Sequence, residues 1–183
     1  RSFNNVTLAH IFEKIENHAM LIVININECF IDIVPSYLVK LISAMFIDLS
    51  QNLMTKLDDI DWTFPYLLRL NLSDNLISLI GNQTFVHVLS LEEIDVSSNQ
   101  LVSLDENVFK HLKSLQSLSI QNNKLRTLDI QDALPLSVII MKVDFYHMCC
   151  RLQGYVSCVT EVIDISTCRN LIQSLTLRVA WHL

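Results

Sequence analysis

Residues 91–104 read LEEIDVSSNQLVSL, and the same pattern returns in residues 67–80 as LLRLNLSDNLISLI and in residues 115–128 as LQSLSIQNNKLRTL. Aliphatic residues occupy positions one, four, six, eleven and fourteen of each copy, and Asn occupies position nine. These asparagines, Asn75, Asn99 and Asn123, follow one another at equal intervals. Self-similarity at a fixed spacing of this length indicates a stack of repeated structural units.

Two upstream segments fit the pattern more loosely. Residues 47–57 give a fourth copy around Asn52, and its step to Asn75 is one position shorter than the later steps. Residues 22–29 give a poorer fifth copy, which we align through Asn27, although its step to Asn52 is then one position longer than the later steps. This alignment places Cys29 at an apolar position and predicts a buried thiol, neither nucleophile nor ligand, because free Cys is among the most buried residue types.

Each copy begins with a short alternation of apolar and polar residues. Leu70 and Leu72 flank Asn71, as a strand with one buried and one exposed face requires. The asparagine at position nine is predicted to turn inward, where one amide satisfies backbone groups of the turn. The pattern is typical of leucine-rich repeats. It predicts an α/β solenoid, a horseshoe with short parallel strands on the concave face and irregular or short helical segments on the convex face.

A large apolar residue follows each asparagine by ten positions. These residues are Tyr37, Trp62, Phe85 and Phe109. We expect them to fill the wider convex side of the stack. A bundle of amphipathic helices is the alternative that the apolar residues alone would allow, but such a bundle has no need of an asparagine in phase in five copies.

Composition excludes several classes of protein. Apolar residues make up 51% and charged residues 17% of the 183 residues, which predicts a folded chain with a sizeable core. The net charge is -6 without a basic stripe, which argues against a nucleic-acid partner. No phosphate-binding glycine motif and no catalytic spacing occur, so we predict no enzyme, no cofactor and no metal.

The repeat pattern fails after Asn123. Residues 134–140 resemble a last strand, whereas Lys142 and Asp144 interrupt the apolar positions. We therefore predict leucine-rich repeats over residues 1–136, and a terminal strand with a cysteine-rich hinge over residues 137–168. The hinge would cover the open edge that a terminal repeat leaves.

Four of the five cysteines lie close to the C-terminal end of the chain. They are Cys149, Cys150, Cys158 and Cys168. Such clustering predicts a local disulfide module, and three pairings are open. Since adjacent cysteines seldom bond each other, we prefer two bridges from the adjacent pair to the other two cysteines. A zinc site from the same thiolates, with His147, is the alternative, although gaps of seven and nine residues after Cys150 are too long for the usual structural zinc motif.

The C-terminal segment resembles the hinge of leucine-rich-repeat-containing G-protein-coupled receptors, most closely that of the relaxin-family peptide receptors. The adjacent cysteine pair after Tyr146 looks like the start of that hinge, and Leu177-Arg178-Val179 looks like the start of the first membrane helix. Cys168 is more similar to the glycoprotein-hormone receptors. The resemblance implies a plasma-membrane receptor whose extracellular part binds a peptide or protein hormone. Residues 169–183 would begin a membrane helix, and a G protein would be reached only through the missing seven-helix domain.

The concave face is where such solenoids meet large partners. The outward position between the two strand leucines is acidic in two copies, at Asp48 and Asp95. With strands about 4.8 Å apart, carboxylates two repeats apart would lie about 10 Å from each other, a clamp for basic side chains. In the resembling receptors acidic residues on this face meet a basic hormone. The alternative is that Asp48 and Asp95 bind no ligand and only keep an exposed strand soluble. Arg69 and Glu93 on neighbouring strands are expected to pair.

Asn5, Asn71 and Asn82 begin N-x-[ST] sequons, and we expect Asn82 to be the best-placed glycosylation site. A glycan on Asn71 would conflict with ligand access to the concave face. Two other functions compete with the receptor. One is a secreted or cell-surface adhesion protein, and the other is a cytosolic adaptor that would keep its cysteines reduced.

Overall fold

The computed structural model is a solenoid of parallel strands. It describes residues 23–36, 38–57, 62–105, 107–125, 134–135, 137–145 and 157–162. The strands within these ranges are β1 (Val23–Asn25), β2 (Phe46–Asp48), β3 (Lys56–Leu57), β4 (Arg69–Asn71), β5 (Leu79–Ile80), β6 (Glu93–Asp95), β7 (Ser117–Ser119), β8 (Ile140–Phe145) and β9 (Ser157–Val162). One parallel sheet has the order β1-β2-β4-β6-β7-β8-β9, and β3 pairs with β5 in a second. The predicted solenoid is confirmed.

The concave strands β1, β2, β4 and β6 each bury their middle residue, and the residues on either side of it are more exposed. The buried residues in successive coils are Ile24, Ile47, Leu70, Ile94 and Leu118, and the strand register places them directly side by side. Each is at most 4% exposed. The outward side chains of the same strands form the concave face. Period-two alternation in the sequence therefore becomes one buried row with a more accessible row on either side.

The inward asparagines form a continuous ladder. Asn52, Asn75 and Asn99 are buried, and Asn123 is half-buried at the last described turn of the ladder. The amide nitrogen of each donates to carbonyl oxygens of its own coil and of the preceding coil, at 2.9–3.3 Å. The amide oxygen accepts a backbone N–H of the preceding coil. The predicted role of these four residues is confirmed.

The first described coil corrects the alignment of the fifth copy. Its ladder position holds Cys29, five residues after the buried Ile24, just as Asn52 lies five residues after Ile47. The residue before the ladder position has positive φ in every coil, and here that residue is Glu28, at 54°. The Cys29 thiol donates to the carbonyl oxygen of Asn27 at 3.1 Å, the bond that the amide of Asn52 makes to Ser50. Asn27 is therefore two positions early, and the true step from this coil to the next equals the step from Asn52 to Asn75.

Cys29 is also less buried than predicted. It is half-buried and packs against the hydrophobic core. Burial raises the pKa of its thiol, and the neighbouring Glu28 carboxylate raises it further. Both effects disfavour the thiolate, which is the nucleophilic form.

The convex side is filled by aromatic residues as predicted. Trp62, Phe85 and Phe109 are each 1% exposed. The Phe85 and Phe109 rings stack with centroids 6.1 Å apart, and Trp62 packs on Phe64 at 5.9 Å. Helix in the described part of this side is limited to a single 3-10 turn over Leu38–Lys40. Tyr37 lies outside the described residues.

The C-terminal end differs from the prediction. The strand β8 begins at Ile140 rather than in the residues before it, and Lys142 pairs with Ser119 of β7 within the sheet. Asp144 does not interrupt the strand. Its carboxylate accepts the backbone N–H groups of Asn122 and Asn123, replacing a turn carbonyl. The sheet then continues into β9, inside the predicted hinge.

Candidate functional site

The concave face presents two columns of outward side chains, one on each side of the buried strand residue. The first column is Val23, Phe46, Arg69, Glu93, Ser117 and Ile140. The second is Asn25, Asp48, Asn71, Asp95, Ser119 and Lys142, of which Ser119 is buried at 3% exposure. The register therefore places Asp48 and Asp95 in one column, two coils apart, with Asn71 between them. Whether they bind a ligand stays a prediction.

Four consecutive members of the second column share a structural task. The side-chain Oδ1 of each accepts the backbone N–H two residues later, at 3.2 Å for Asn25, 2.9 Å for Asp48, 3.1 Å for Asn71 and 2.8 Å for Asp95. This is an Asx turn, which Asn and Asp form alike. Because Asn25 and Asn71 cap their turns without a charge, the turn does not require the negative charges of Asp48 and Asp95. Those two charges are additional to the fold.

A groove of about 430 Å³ lies over these columns. Its walls include Phe46, Asp48, Arg69, Asn71 and Asp95. It is open to solvent along the concave face and combines an aromatic ring, an amide and charges of both signs. A groove lined by both apolar and polar groups is suited to a peptide side chain or a short peptide segment.

Arg69 crosses the groove between its neighbours in the first column. Its Nε forms an ion pair with Glu93 Oε2 at 3.3 Å, and its guanidinium carbon lies 5.4 Å from the centroid of the Phe46 ring. The predicted pairing of Arg69 with Glu93 is confirmed. The pair neutralises Glu93, so among the lining residues the carboxylates of Asp48 and Asp95 carry the uncompensated charge. Both Arg69 and Glu93 are well exposed, and such pairs contribute little to stability.

Phe46 did not stand out in the sequence before its neighbours were known. It precedes the buried strand residue and is half-buried beneath Arg69. The signal was present in the repeat spacing, because Phe46 and Arg69 are separated by the same interval as Asn52 and Asn75. Lys142 was also missed as a member of the second column, since its charge was taken to end the repeats.

The predicted sequon sites differ in environment. Asn82 is exposed, in a turn on the convex side. The hydroxyl of Thr84 in the same sequon is buried and donates to the Leu57 carbonyl oxygen. Asn71 is half-buried and lines the groove. Asn5 lies outside the described residues.

The predicted hinge is only partly described. Cys158 lies in β9, where its backbone pairs with Met141. Cys149, Cys150 and Cys168, the alternative zinc ligand His147 and residues 169–183 lie outside the described residues. The helices within the described ranges include none with the length and hydropathy of a membrane span.

Comparison with known proteins supports the fold. Residues 65–125 and 90–136 match the family model described as leucine rich repeat. No curated protein matches the chain. Similar solved structures include the Toll-Spatzle complex of Drosophila (TM-score 0.67, 20% identity, 85% of this chain covered), the leucine-rich repeat domain of APL1B (0.62, 20%, 76%) and a leucine-rich repeat protein of Leptospira interrogans (0.67, 20%, 86%). The chain spans 22% of the first of these structures and 42% of each of the other two.

Proposed function

We propose that this leucine-rich repeat protein binds a basic peptide or protein through its concave groove, as the extracellular ligand-binding part of a receptor. The observation that carries the proposal is the pair of negative charges at Asp48 and Asp95. Both side chains cap their turns, but the neutral Asn25 and Asn71 cap the equivalent turns of the same column equally well. Binding of a ligand with basic side chains would explain why those two positions are charged.

The groove supplies more than charge. Phe46 offers an apolar surface at one wall, and the amide of Asn71 lies between the two carboxylates. A basic side chain that reaches Asp48 or Asp95 would form a charge-assisted hydrogen bond, the stronger kind. Similarity to the Toll-Spatzle complex, in which a protein of the same fold is bound to another protein, supports a protein or peptide ligand.

Isosteric substitution separates binding from folding. In Asp48→Asn and Asp95→Asn the Asx turn persists, as it does at Asn71, and only the charge is lost. Against a basic peptide selected from a random peptide library on the wild-type chain, we expect each substitution to weaken binding about 10-fold, and lysine at either position to weaken it further. Titration calorimetry measures this. Urea midpoints within error of wild type provide the folding control. Unchanged affinity in the variant that combines Asp48→Asn and Asp95→Asn would refute the proposed clamp.

The finer assignment is a hormone G-protein-coupled receptor at the plasma membrane. The cysteine spacing and the Leu177-Arg178-Val179 sequence support it through the resemblance to the hinge of that class. The same spacing supports disulfides among the four C-terminal cysteines, and the exposure of Asn82 supports a glycan there.

A thiol count distinguishes the receptor from the cytosolic alternative. Two bridges would leave Cys29 as the one free thiol, whereas a cytosolic adaptor would expose five after denaturation. Counting alkylated thiols by mass spectrometry, with and without reductant, separates the two. A glycosidase-sensitive mass at Asn82 would favour the receptor or the secreted alternative.

A further inference from the structure

A second surface lies on the flank of the solenoid, away from the concave groove. The residue directly after each ladder position occupies an equivalent place in five coils: Phe30, Leu53, Leu76, Gln100 and Lys124. The last four donate their backbone N–H to a carbonyl oxygen of the preceding coil at 2.7–2.9 Å. The backbone is therefore the same at these four positions, whatever the side chain, whereas Phe30 has a positive φ of 59°.

The first three members of this column are large and apolar, and they are exposed by 63%, 43% and 41%. We call Phe30, Leu53 and Leu76 the flank stripe. The next two coils place polar groups at the same position, where Lys124 Nζ donates to Gln100 Oε1 at 3.2 Å. The fold thus accepts polar side chains in this column, and the apolar choice in three consecutive coils has another cause.

Two further exposed apolar residues lie beside the flank stripe, in a column that holds the exposed Lys56 in the coil between them. Ile33 and Leu79, three residues beyond Phe30 and Leu76, are 62% and 52% exposed. Single exposed apolar residues are ordinary on protein surfaces, but contiguous ones mark an interaction site. Adjacent coils are about 4.8 Å apart, so Leu53 and Leu76 lie side by side, and Phe30 follows in the neighbouring coil.

The edge of the flank stripe that is nearest the ladder positions is acidic, whereas Lys56 lies on its other edge beside Leu79. Glu28 and Asp74 lie next to the ladder positions that precede Phe30 and Leu76, and positive φ angles of 54° and 53° fix their backbone. A second copy of this chain would bring the same carboxylates to the same edge, and like charges would oppose each other. A partner with basic residues beside its apolar ones complements both features.

We propose that the flank stripe binds a cationic amphipathic helix of another protein. Side chains at i, i+3 or i+4, and i+7 of a helix are about 5–6 Å apart, which is close to the spacing of the coils. The basic residues bordering its apolar face would meet Glu28 and Asp74. This site uses no residue of the concave groove, so it stands or falls independently of the function proposed above.

The test uses a synthetic helical peptide of about 18 leucines and lysines, with the leucines on one face. Its binding to the full chain is measured by fluorescence anisotropy. The combined variant Leu53→Gln, Leu76→Gln places in the stripe the residue that the fold already accepts at Gln100. Val102→Gln is the matched control, since Val102 is 59% exposed and lies outside the stripe.

We expect the combined variant to weaken peptide binding about 10-fold or more, and the control variant to change it less than about twofold. A peptide with glutamate in place of lysine should bind more weakly than the lysine peptide. Asp48→Asn with Asp95→Asn should leave binding unchanged. Equal binding by the combined variant would overturn the proposal, as would loss of binding in the Asp48 and Asp95 variant. Wild-type dimers in sedimentation equilibrium that the combined variant abolishes would overturn it too, by assigning the stripe to a second copy instead.

Discussion

Replacing one ladder asparagine tests the physical basis of the fold most directly. Asn99 is 7% exposed and makes four hydrogen bonds. Its Nδ2 donates to the carbonyl oxygens of Leu72, Val96 and Ser97 at 3.0–3.1 Å, and its Oδ1 accepts the N–H of Ile77 at 2.9 Å. Asn99→Ala removes all four bonds at once.

The four losses are unequal. The Leu72 oxygen keeps the amide of Asn75, the Val96 oxygen keeps that of Asn123, and the Ser97 oxygen keeps a backbone N–H. Each of these losses costs about 0.5 kcal/mol, the low end for a net hydrogen bond. The Ile77 N–H is buried and loses its acceptor, which costs about 1–3 kcal/mol. We therefore expect Asn99→Ala to lower the free energy of unfolding by about 3 kcal/mol, a large fraction of the roughly 5–15 kcal/mol typical of a domain.

Asn99→Asp sharpens the test. The carboxylate still accepts the Ile77 N–H, but it turns lone pairs toward three carbonyl oxygens and brings a buried charge, so it should cost more than alanine despite its matching shape. Urea unfolding followed by circular dichroism gives both values. Gln100→Ala is the control, because its exposed bond to Lys124 contributes little, and we expect a change within about 0.5 kcal/mol. The reasoning is refuted if Asn99→Ala costs less than about 1 kcal/mol, or if aspartate is tolerated better than alanine.

Cys29 and the convex stack give four more predictions. Cys29→Asn should raise the free energy of unfolding by about 0.5–1 kcal/mol in urea denaturation, because an amide offers a second donor where the thiol offers one. The raised pKa of the Cys29 thiol should slow alkylation by iodoacetamide below the rate of free cysteine at mildly alkaline pH, and Glu28→Gln should speed it. Since the folded state favours the neutral thiol, the free energy of unfolding should also fall as pH rises past the ordinary pKa of a thiol. An equal fall in wild type and in Cys29→Ala at alkaline pH would contradict this. Phe85→Ala should cost about 3–5 kcal/mol by opening a cavity in the convex stack, whereas exposed Leu89→Ala should change stability by less than about 0.5 kcal/mol in the same urea assay.

The repeat spacing made most of the fold predictable, and the error in the first described coil shows where spacing stops being enough. Asn27 is an asparagine near the expected position, so residue type favoured it over Cys29. The backbone conformation decides the position instead. Glu28 has the positive φ that precedes every ladder position, so the ladder position is Cys29. The spacing contained the correction, because the interval from Cys29 to Asn52 is the same as the interval from Asn52 to Asn75.

The C-terminal end was mispredicted for a different reason. Lys142 and Asp144 were taken as breaks because both are charged. Met141 and Val143 are buried, so period-two alternation places Lys142, between them, and Asp144, after them, on the outward face. Asp144 also does what no local pattern reveals, since it accepts N–H groups of the preceding coil. These bonds depend on the register between β7 and β8, and the periodicity of apolar residues along the sequence does not encode that register.

The repeats themselves separate what the fold requires from what it permits. In four coils the second column of the concave face supplies the side-chain oxygen of an Asx turn, and Asn71 supplies it as well as Asp95 does. On the flank, the backbone bond is the same for Leu76 as for Gln100. Where equivalent coils satisfy the fold with different residues, stability does not determine the choice. The carboxylates of the groove and the apolar residues of the flank stripe are choices of this kind, and binding is the property in which we expect their substitutions to be measurable.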